Sequence, residues 1–196
     1  MNYLAHCLLS GSDTEVLIGN FIADAAYPKE LKKYSEGILK GIELHKAIDS
    51  FTDQHRYVKE AVAILRPNHG RYSTVILDIL WDYFLIKNWK TYSDINLRLF
   101  IDRMYYTFSQ YKDQMPKRLT GKIAKMIETD FLAAFGHRNG LTRSFTYMDK
   151  RTTFPSHFVN AIEDLDDNED ELDRLFNLFF PQLVEMAQVK RQDLGV

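Results

Sequence analysis

The sequence predicts an all-α fold, a single-domain helical bundle, on three observations. Apolar residues recur at helical spacing almost throughout, alternating strand patterns are missing, and a chain of 196 residues suffices for one sizeable core but is short for two. Thirteen Phe and eleven Tyr point to a core built on large rings. With no internal repeat, low-complexity segment or linker-like composition, residues 1–196 read as one domain.

Met1–Ser10 and Asp13–Asp24 read as two short helices broken at Gly11, and Pro28 starts another segment. Ser35–Phe51 follows, with Ile38, Ile42, Leu44 and Ile48 largely on one side. Thr52 or Asp53 fits the N-cap of a further helix to Leu65, ahead of a Pro67–Gly70 turn. Arg71–Trp89 is a strongly apolar helix; Asp94–Tyr111 and Lys117–Phe135 come next, then a turn over Gly136–Gly140. Two more helices are expected over Leu141–Lys150 and Pro155–Leu165, and a last one after the acidic stretch to about Val189.

A net charge of −2 gives no global attraction to nucleic acid or to a membrane surface. The single cysteine, Cys7, excludes an internal disulfide and any thiolate-rich zinc site. No basic n-region opens "MNYLAHCLLSGSDTEV", and no apolar stretch reaches the roughly 20 residues of a membrane span. The expectation is a reducing, cytoplasmic setting.

The chemistry concentrates in "LHKAIDSFTDQH", residues 44–55, where His45, Asp49, Asp53 and His55 fall within a dozen positions. Residues four apart on a helix share a face, so His45 and Asp49 form a pair, which Asp53 extends if the helix continues. "TVILDILWDYFLI" repeats the device with Asp78 and Asp82 on an otherwise apolar helix. Two carboxylates there are costly to bury without a cation or donors, and a divalent metal held by facing helices removes the cost. His6 and Asp24 are further inward-facing polar candidates. Blander roles stand beside these: a solvated edge or ion pair for Asp78 and Asp82, an N-cap for Asp53, a surface position for His55, a satisfied core histidine for His6 and a turn cap for Asp24.

The stretches "MNYLAH" at the start, "IGNFIAD" at 18–24, "GIELHKAIDSFTDQH" at 41–55, "LDILWDYFL" at 77–85 and "FFPQLVEMA" at 179–187 together resemble the acyl carrier protein phosphodiesterases, relatives of the HD-domain phosphohydrolases. The resemblance implies an HD-domain-like, all-helical, metal-dependent hydrolase. Its reaction would remove 4′-phosphopantetheine from a serine of holo-acyl carrier protein. The polar set it implies falls on His6, Asp24, His45, Asp49, Asp53, Asp78 and Asp82. Where some relatives carry a histidine after the second aspartate, this chain has Tyr83, and the literal His-Asp doublet of HD-domain enzymes is absent.

Within that reading His6, Asp24, His45, Asp49, Asp78 and Asp82 are the expected metal ligands, and Asp53 and His55 the expected water-activating and proton-donating groups. Mixed imidazole and carboxylate donors suit Mn²⁺ first, with Mg²⁺ or Fe²⁺ as alternatives. Acyl carrier proteins are acidic, so Lys29, Lys32, Lys33, Lys40 and Lys46 are the expected contact surface for the carrier, while "EDLDDNEDELD", residues 163–173, is expected to form a turn and a helix start. The rival functions are a phosphohydrolase of the same fold acting on a nucleotide or other small phosphoester, and a non-catalytic helical interaction domain.

Overall fold

Helix boundaries follow from where backbone amides find acceptors. The computed structural model describes residues 2–152 and 157–196, and within them every regular element is helical. The first helix, α1 (Tyr3–Leu9), has no cap of its own, since the Asn2 side chain makes no capping bond. Asp82, far along the chain, accepts from the amides of Leu4 and Ala5 at 3.2 and 3.3 Å instead. Asp13 caps α2 (Thr14–Ile22) through the amides of Glu15 and Val16. Two 3₁₀ turns, Ala23–Ala25 and Pro28–Lys33, lead to α3 (Glu36–Gln54), which Ser35 caps.

The next boundary differs from expectation. Neither Thr52 nor Asp53 caps a helix: α3 runs through both, and the His55 ring accepts from the Tyr57 amide to begin α4 (Arg56–His69). Pro67 lies inside α4, and Gly70, at φ +52°, ends it. The apolar helix α5 (Ser73–Lys87) is followed by a short α6 (Trp89–Tyr92), then by α7 (Leu97–Tyr111) with Asn96 as its cap. The single helix expected over Lys117–Phe135 is two, α8 (Lys117–Glu128) and α9 (Phe131–Ala134). Asp130, left-handed at φ 48° and paired with Arg98 at 2.6 Å, makes the break.

The turn expected over Gly136–Gly140 is shorter: α10 (Arg138–Asp149) already includes Gly140, where a Cβ would lie 1.8 Å from the Ala134 carbonyl oxygen. Of the helix expected over Pro155–Leu165, residues 155 and 156 lie outside the described residues; a 3₁₀ turn, Phe158–Asn160, precedes α11 (Ala161–Asp193). The acidic run, expected as a turn and a helix start, lies within α11, where two helical stretches meet at a kink: Asn168 has non-helical dihedrals, φ −126° and ψ 16°. Three of its charges are partnered there by Arg138 and Lys87, as Glu169 meets both, Asp173 meets Lys87, and Asp166 meets Arg138.

The core is one contiguous apolar cluster. Trp81 and Phe84 of α5 pack on Phe176 and Phe179 of α11, and Phe21 of α2 stacks on Phe108 of α7 at 4.0 Å. Helices α2 and α3 cross backbone to backbone, since a Cβ on Gly19 would meet the Ile38 carbonyl oxygen at 2.0 Å and one on Gly41 that of Val16 at 2.1 Å. This crossing brings Asn20 of α2 against His45 of α3. Among the described residues no helix is long and apolar enough to cross a membrane.

Candidate metal centre

Asn20 organises the site. It is fully buried near the end of α2, where its carbonyl is among those an α-helix leaves without an internal partner. The Nδ1 of His45 lies 2.8 Å from that carbonyl oxygen and 3.1 Å from the Asn20 side-chain oxygen. The Nδ1 of His6 lies 2.7 Å from the same side-chain oxygen. The Asn20 amide nitrogen donates to the His6 carbonyl and to Ser10 Oγ, at 3.0 and 2.9 Å, which fixes the oxygen toward the histidines. Both oxygens only accept, so each imidazole carries its proton on Nδ1 and turns Nε2 to the opposite side.

Those Nε2 atoms converge on Asp49. Its carboxylate lies 3.2 Å from His6 Nε2 and 3.0 Å from His45 Nε2, and Asp24 lies 3.2 Å from His45 Nε2. Donor atoms of His6, His45 and Asp49 all fall within 4.8 Å of one another. The His6 Nε2 atom is buried, and no described group makes an aligned hydrogen bond to it. A buried imidazole nitrogen without an aligned partner, facing a carboxylate and a second imidazole nitrogen, is a donor set compatible with a divalent metal.

The electrostatics fit a cation between these groups. Burial lowers the His6 pKa, so its ring stays neutral. Burial also works against charge on His45, but the Asp24 and Asp49 carboxylates outweigh it and push that pKa up to about 9. Asp49 is raised by burial yet held well below the usual carboxylate range by His45 and His6, and the His45 contact lowers Asp24. In the absence of an ion, a proton on His45 supplies positive charge to this carboxylate pair.

The remaining expected residues divide. Asp24 is exposed at the rim, in the 3₁₀ turn that follows α2. Asp53 lies one turn beyond Asp49 on α3, exposed, on the same side. Asp78 of α5 has its pKa raised by burial, and the charges of Asp49 and Asp53 add to that shift. Asp82 does not belong to the cluster: it is fully buried, and both its oxygens are engaged with the amides that open α1. Burial pushes its pKa up to about 7, against the two amide bonds.

His55 also lies elsewhere. Its ring caps α4, leans on Phe51 and Phe179 at 5.2 and 4.9 Å, and approaches Gln182 of α11. That side of α3 is turned away from Asp49, so His55 lies apart from the cluster where it was expected as a proton donor. Of the lysines, Lys29, Lys32, Lys33 and Lys46 are exposed, whereas Lys40 is half-buried and pairs with Glu36. The turn carrying the first three starts four residues after Asp24 and is anchored to α8 by Arg118, which pairs with Glu30 and stacks on Tyr27 at 3.8 Å.

Asn20 and Ser10 are the site residues that sequence reasoning passes over. The available signal was an amide in the middle of the apolar run "VLIGNFI", a position that requires partners when buried.

The sequence profile of the family described as acyl carrier protein phosphodiesterase matches residues 1–183. Relatives named acyl carrier protein phosphodiesterase occur in Yersinia enterocolitica, Pectobacterium atrosepticum and Klebsiella pneumoniae strain 342. They are 28%, 27% and 29% identical to this chain, each alignment spanning 97% of it and 100% of the relative. No solved structure matches. The chain belongs to the acyl carrier protein phosphodiesterase family.

Proposed function

We propose that this protein hydrolyses the phosphodiester joining 4′-phosphopantetheine to a serine of holo-acyl carrier protein, releasing the apo-carrier. The observation that carries the reading is the family match over residues 1–183, and the meeting of His6, His45 and Asp49 within that span supports a reaction assisted by a metal.

His6, His45 and Asp49 hold the ion, with Asp24 and Asp78 as the further carboxylates that face it. The two nitrogens and hard oxygens favour Mn²⁺, with Mg²⁺ or Fe²⁺ as alternatives. When bound, the ion supplies Lewis-acid polarisation of a phosphoryl oxygen and lowers the pKa of the attacking water. Asn20 keeps both imidazoles in the ligating tautomer. Asp53, exposed beside Asp49, takes the proton from the attacking water. The crowding of carboxylates at Asp24, Asp49, Asp53 and Asp78 repels a phosphodiester anion unless a cation offsets it, which is the electrostatic reason for the metal. Lys29, Lys32, Lys33, Lys40 and Lys46 lie beside this mouth in sequence and contact the acidic carrier.

Mass spectrometry of holo-carrier incubated with the protein and Mn²⁺ tests the reading. Loss of the phosphopantetheine mass, blocked by EDTA, is expected; an unchanged holo-carrier would overturn it.

A further inference from the structure

Helix α8 turns a basic face to solvent. Leu119, Ile123 and Met126, three and four residues apart, form its buried side. Away from them Lys117, Gly121 and Lys125 fall four apart in one exposed row, and Arg118 and Lys122 make the neighbouring row. Lys125 has Glu128 beside it at 3.3 Å, both well exposed, a pair of little strength in water. Lys117 and Lys122 form no ion pair among the described residues. Arg118 joins this face to the Pro28–Lys33 turn. Its guanidinium holds both Glu30 carboxylate oxygens, at 3.2 and 2.6 Å, and lies 3.8 Å from the centre of the Tyr27 ring. Glu30 is thereby compensated, and Lys29, Lys32 and Lys33 carry the turn's remaining charge.

The turn begins four residues after Asp24, the carboxylate that meets His45 at the rim of the metal centre. From that rim one basic surface runs over the turn and across α8, in a chain whose net charge is −2. Gly121 lies in the middle of its α8 portion. At every other glycine of the chain either a Cβ would crowd a neighbour or φ is positive, whereas a Cβ on Gly121 would meet nothing within 4 Å. A glycine inside a helix loses backbone entropy that alanine would save, and no contact within the fold requires it here. It leaves a flat stretch of helix between two lysines, where a second backbone can approach as closely as α2 and α3 do at Gly19 and Gly41.

We propose that the Lys117–Gly121–Lys125 row of α8, continuous with the lysines of the Pro28–Lys33 turn, is a docking surface for an acidic segment of the carrier protein that crosses α8 at Gly121. This rests on the hydrolase reading above. The scissile bond ends on the carrier's own serine, so the body of the carrier must press against the mouth of the metal centre, and the basic surface starts at that mouth. Carboxylates of the carrier meet the lysines while its backbone closes on Gly121. A nucleic acid, the other common polyanion, fits less well, because Asp24, Asp49 and Asp53 at the same rim repel a continuous chain of phosphates.

The test pairs fluorescence anisotropy of labelled apo-carrier with turnover of holo-carrier, both with the whole protein. Lys117→Glu combined with Lys125→Glu is expected to weaken apo-carrier binding and raise KM by about tenfold each, and to flatten their salt dependence. The kcat and the Mn²⁺ affinity are expected to stay at parent values. Lys59→Glu, the same kind of charge change on α4, is expected to alter none of these. Gly121→Ala is expected to raise the melting temperature by about 2–4 °C and yet to weaken carrier binding severalfold, a split that a purely structural glycine would not show. Parent-like binding and KM in the double variant overturn the docking surface, and so do equal losses in Lys59→Glu. Parent-like carrier binding by Gly121→Ala overturns the crossing. Tighter binding of a single-stranded oligonucleotide than of carrier would assign the face to nucleic acid, and a parent dimer broken by the reversals would assign it to a second copy; either result overturns the proposal. A parent that neither binds nor hydrolyses the carrier refutes the hydrolase reading itself; turnover by the parent with indifferent variants refutes the docking surface alone.

Discussion

The imidazole rings of His6 and His45 lie face to face, 4.1 Å between centroids and 18° from parallel, with Nδ1 of both rings directed at Asn20. Two stacked imidazolium ions would repel, so the pair accommodates one positive charge at most. The site resolves this by keeping His6 neutral through burial and placing the charge on His45 beside Asp24 and Asp49.

Removing the shared anchor is therefore expected to loosen both ligands together. Asn20→Ala should weaken divalent-metal affinity by about 10–100-fold, the usual cost of losing a group that orients a ligand, with helical content retained. Competition against a chromogenic chelator measures it. An affinity within twofold of the parent would show that the anchor does not position the ligands.

Metal uptake should displace the His45 proton. In the metal-free protein the folded pKa of about 9 lies above the ordinary 6.5. The stability contributed by this pairing is thus full below about 6.5 and lost as pH rises through about 9. Urea unfolding of the EDTA-treated protein should show that decline between pH 7 and 9, and His45→Gln should remove it. Calorimetric titration with Mn²⁺ at pH 7 in buffers of differing ionisation enthalpy should report proton release; none would mean that the ring is already neutral.

Asp82 shifts in the same direction, in a lower pH range. Its folded pKa of about 7 exceeds the ordinary 3.8, so the folded state binds the extra proton and Asp82's contribution to stability declines as pH rises from about 4 through 7. Asp82→Asn should flatten this part of the pH–stability profile. Asp82→Ala, which leaves two buried amides at the start of α1 without their acceptor, should cost about 2 kcal/mol or more. Chemical denaturation across that range separates the two variants, and equal stability of both at pH 7 would contradict the capping role.

The crossing of α2 and α3 links fold to site. Gly41→Ala puts a methyl where the Val16 carbonyl oxygen already stands, so the helices must separate, at about 1–3 kcal/mol by the usual cost of overpacking. Because Asn20 and His45 meet across that crossing, the variant should lose metal affinity along with thermal stability. A normal melting temperature with normal metal binding would show that the contact is slack.

The helical fold and the His45–Asp49 pair were legible because both depend on periodicity, a property of neighbouring residues. The contact of His6 with Asp49 was not, since spacing within one helix does not give the approach of another. Asp82 was misread for a related reason: two aspartates at i and i+4 look alike in sequence, yet Asp82 accepts from the amides that open α1. Capping by His55 displaced the more familiar Thr52 and Asp53 because α3 continues to Gln54. The acidic run shows a break at Asn168, but helix on both sides of it, because its partners Lys87 and Arg138 come from α5 and α10.

Electron paramagnetic resonance titration of the metal-free protein with Mn²⁺ asks whether His6, His45 and Asp49 share one ion. One tight site per chain is expected in the parent, lost in His6→Gln, His45→Gln and Asp49→Asn. It should survive His69→Gln, which disrupts a second buried His–Asp pair, His69 with Asp164 at 2.5 Å. Tight binding that persists through all three cluster variants would contradict the shared site.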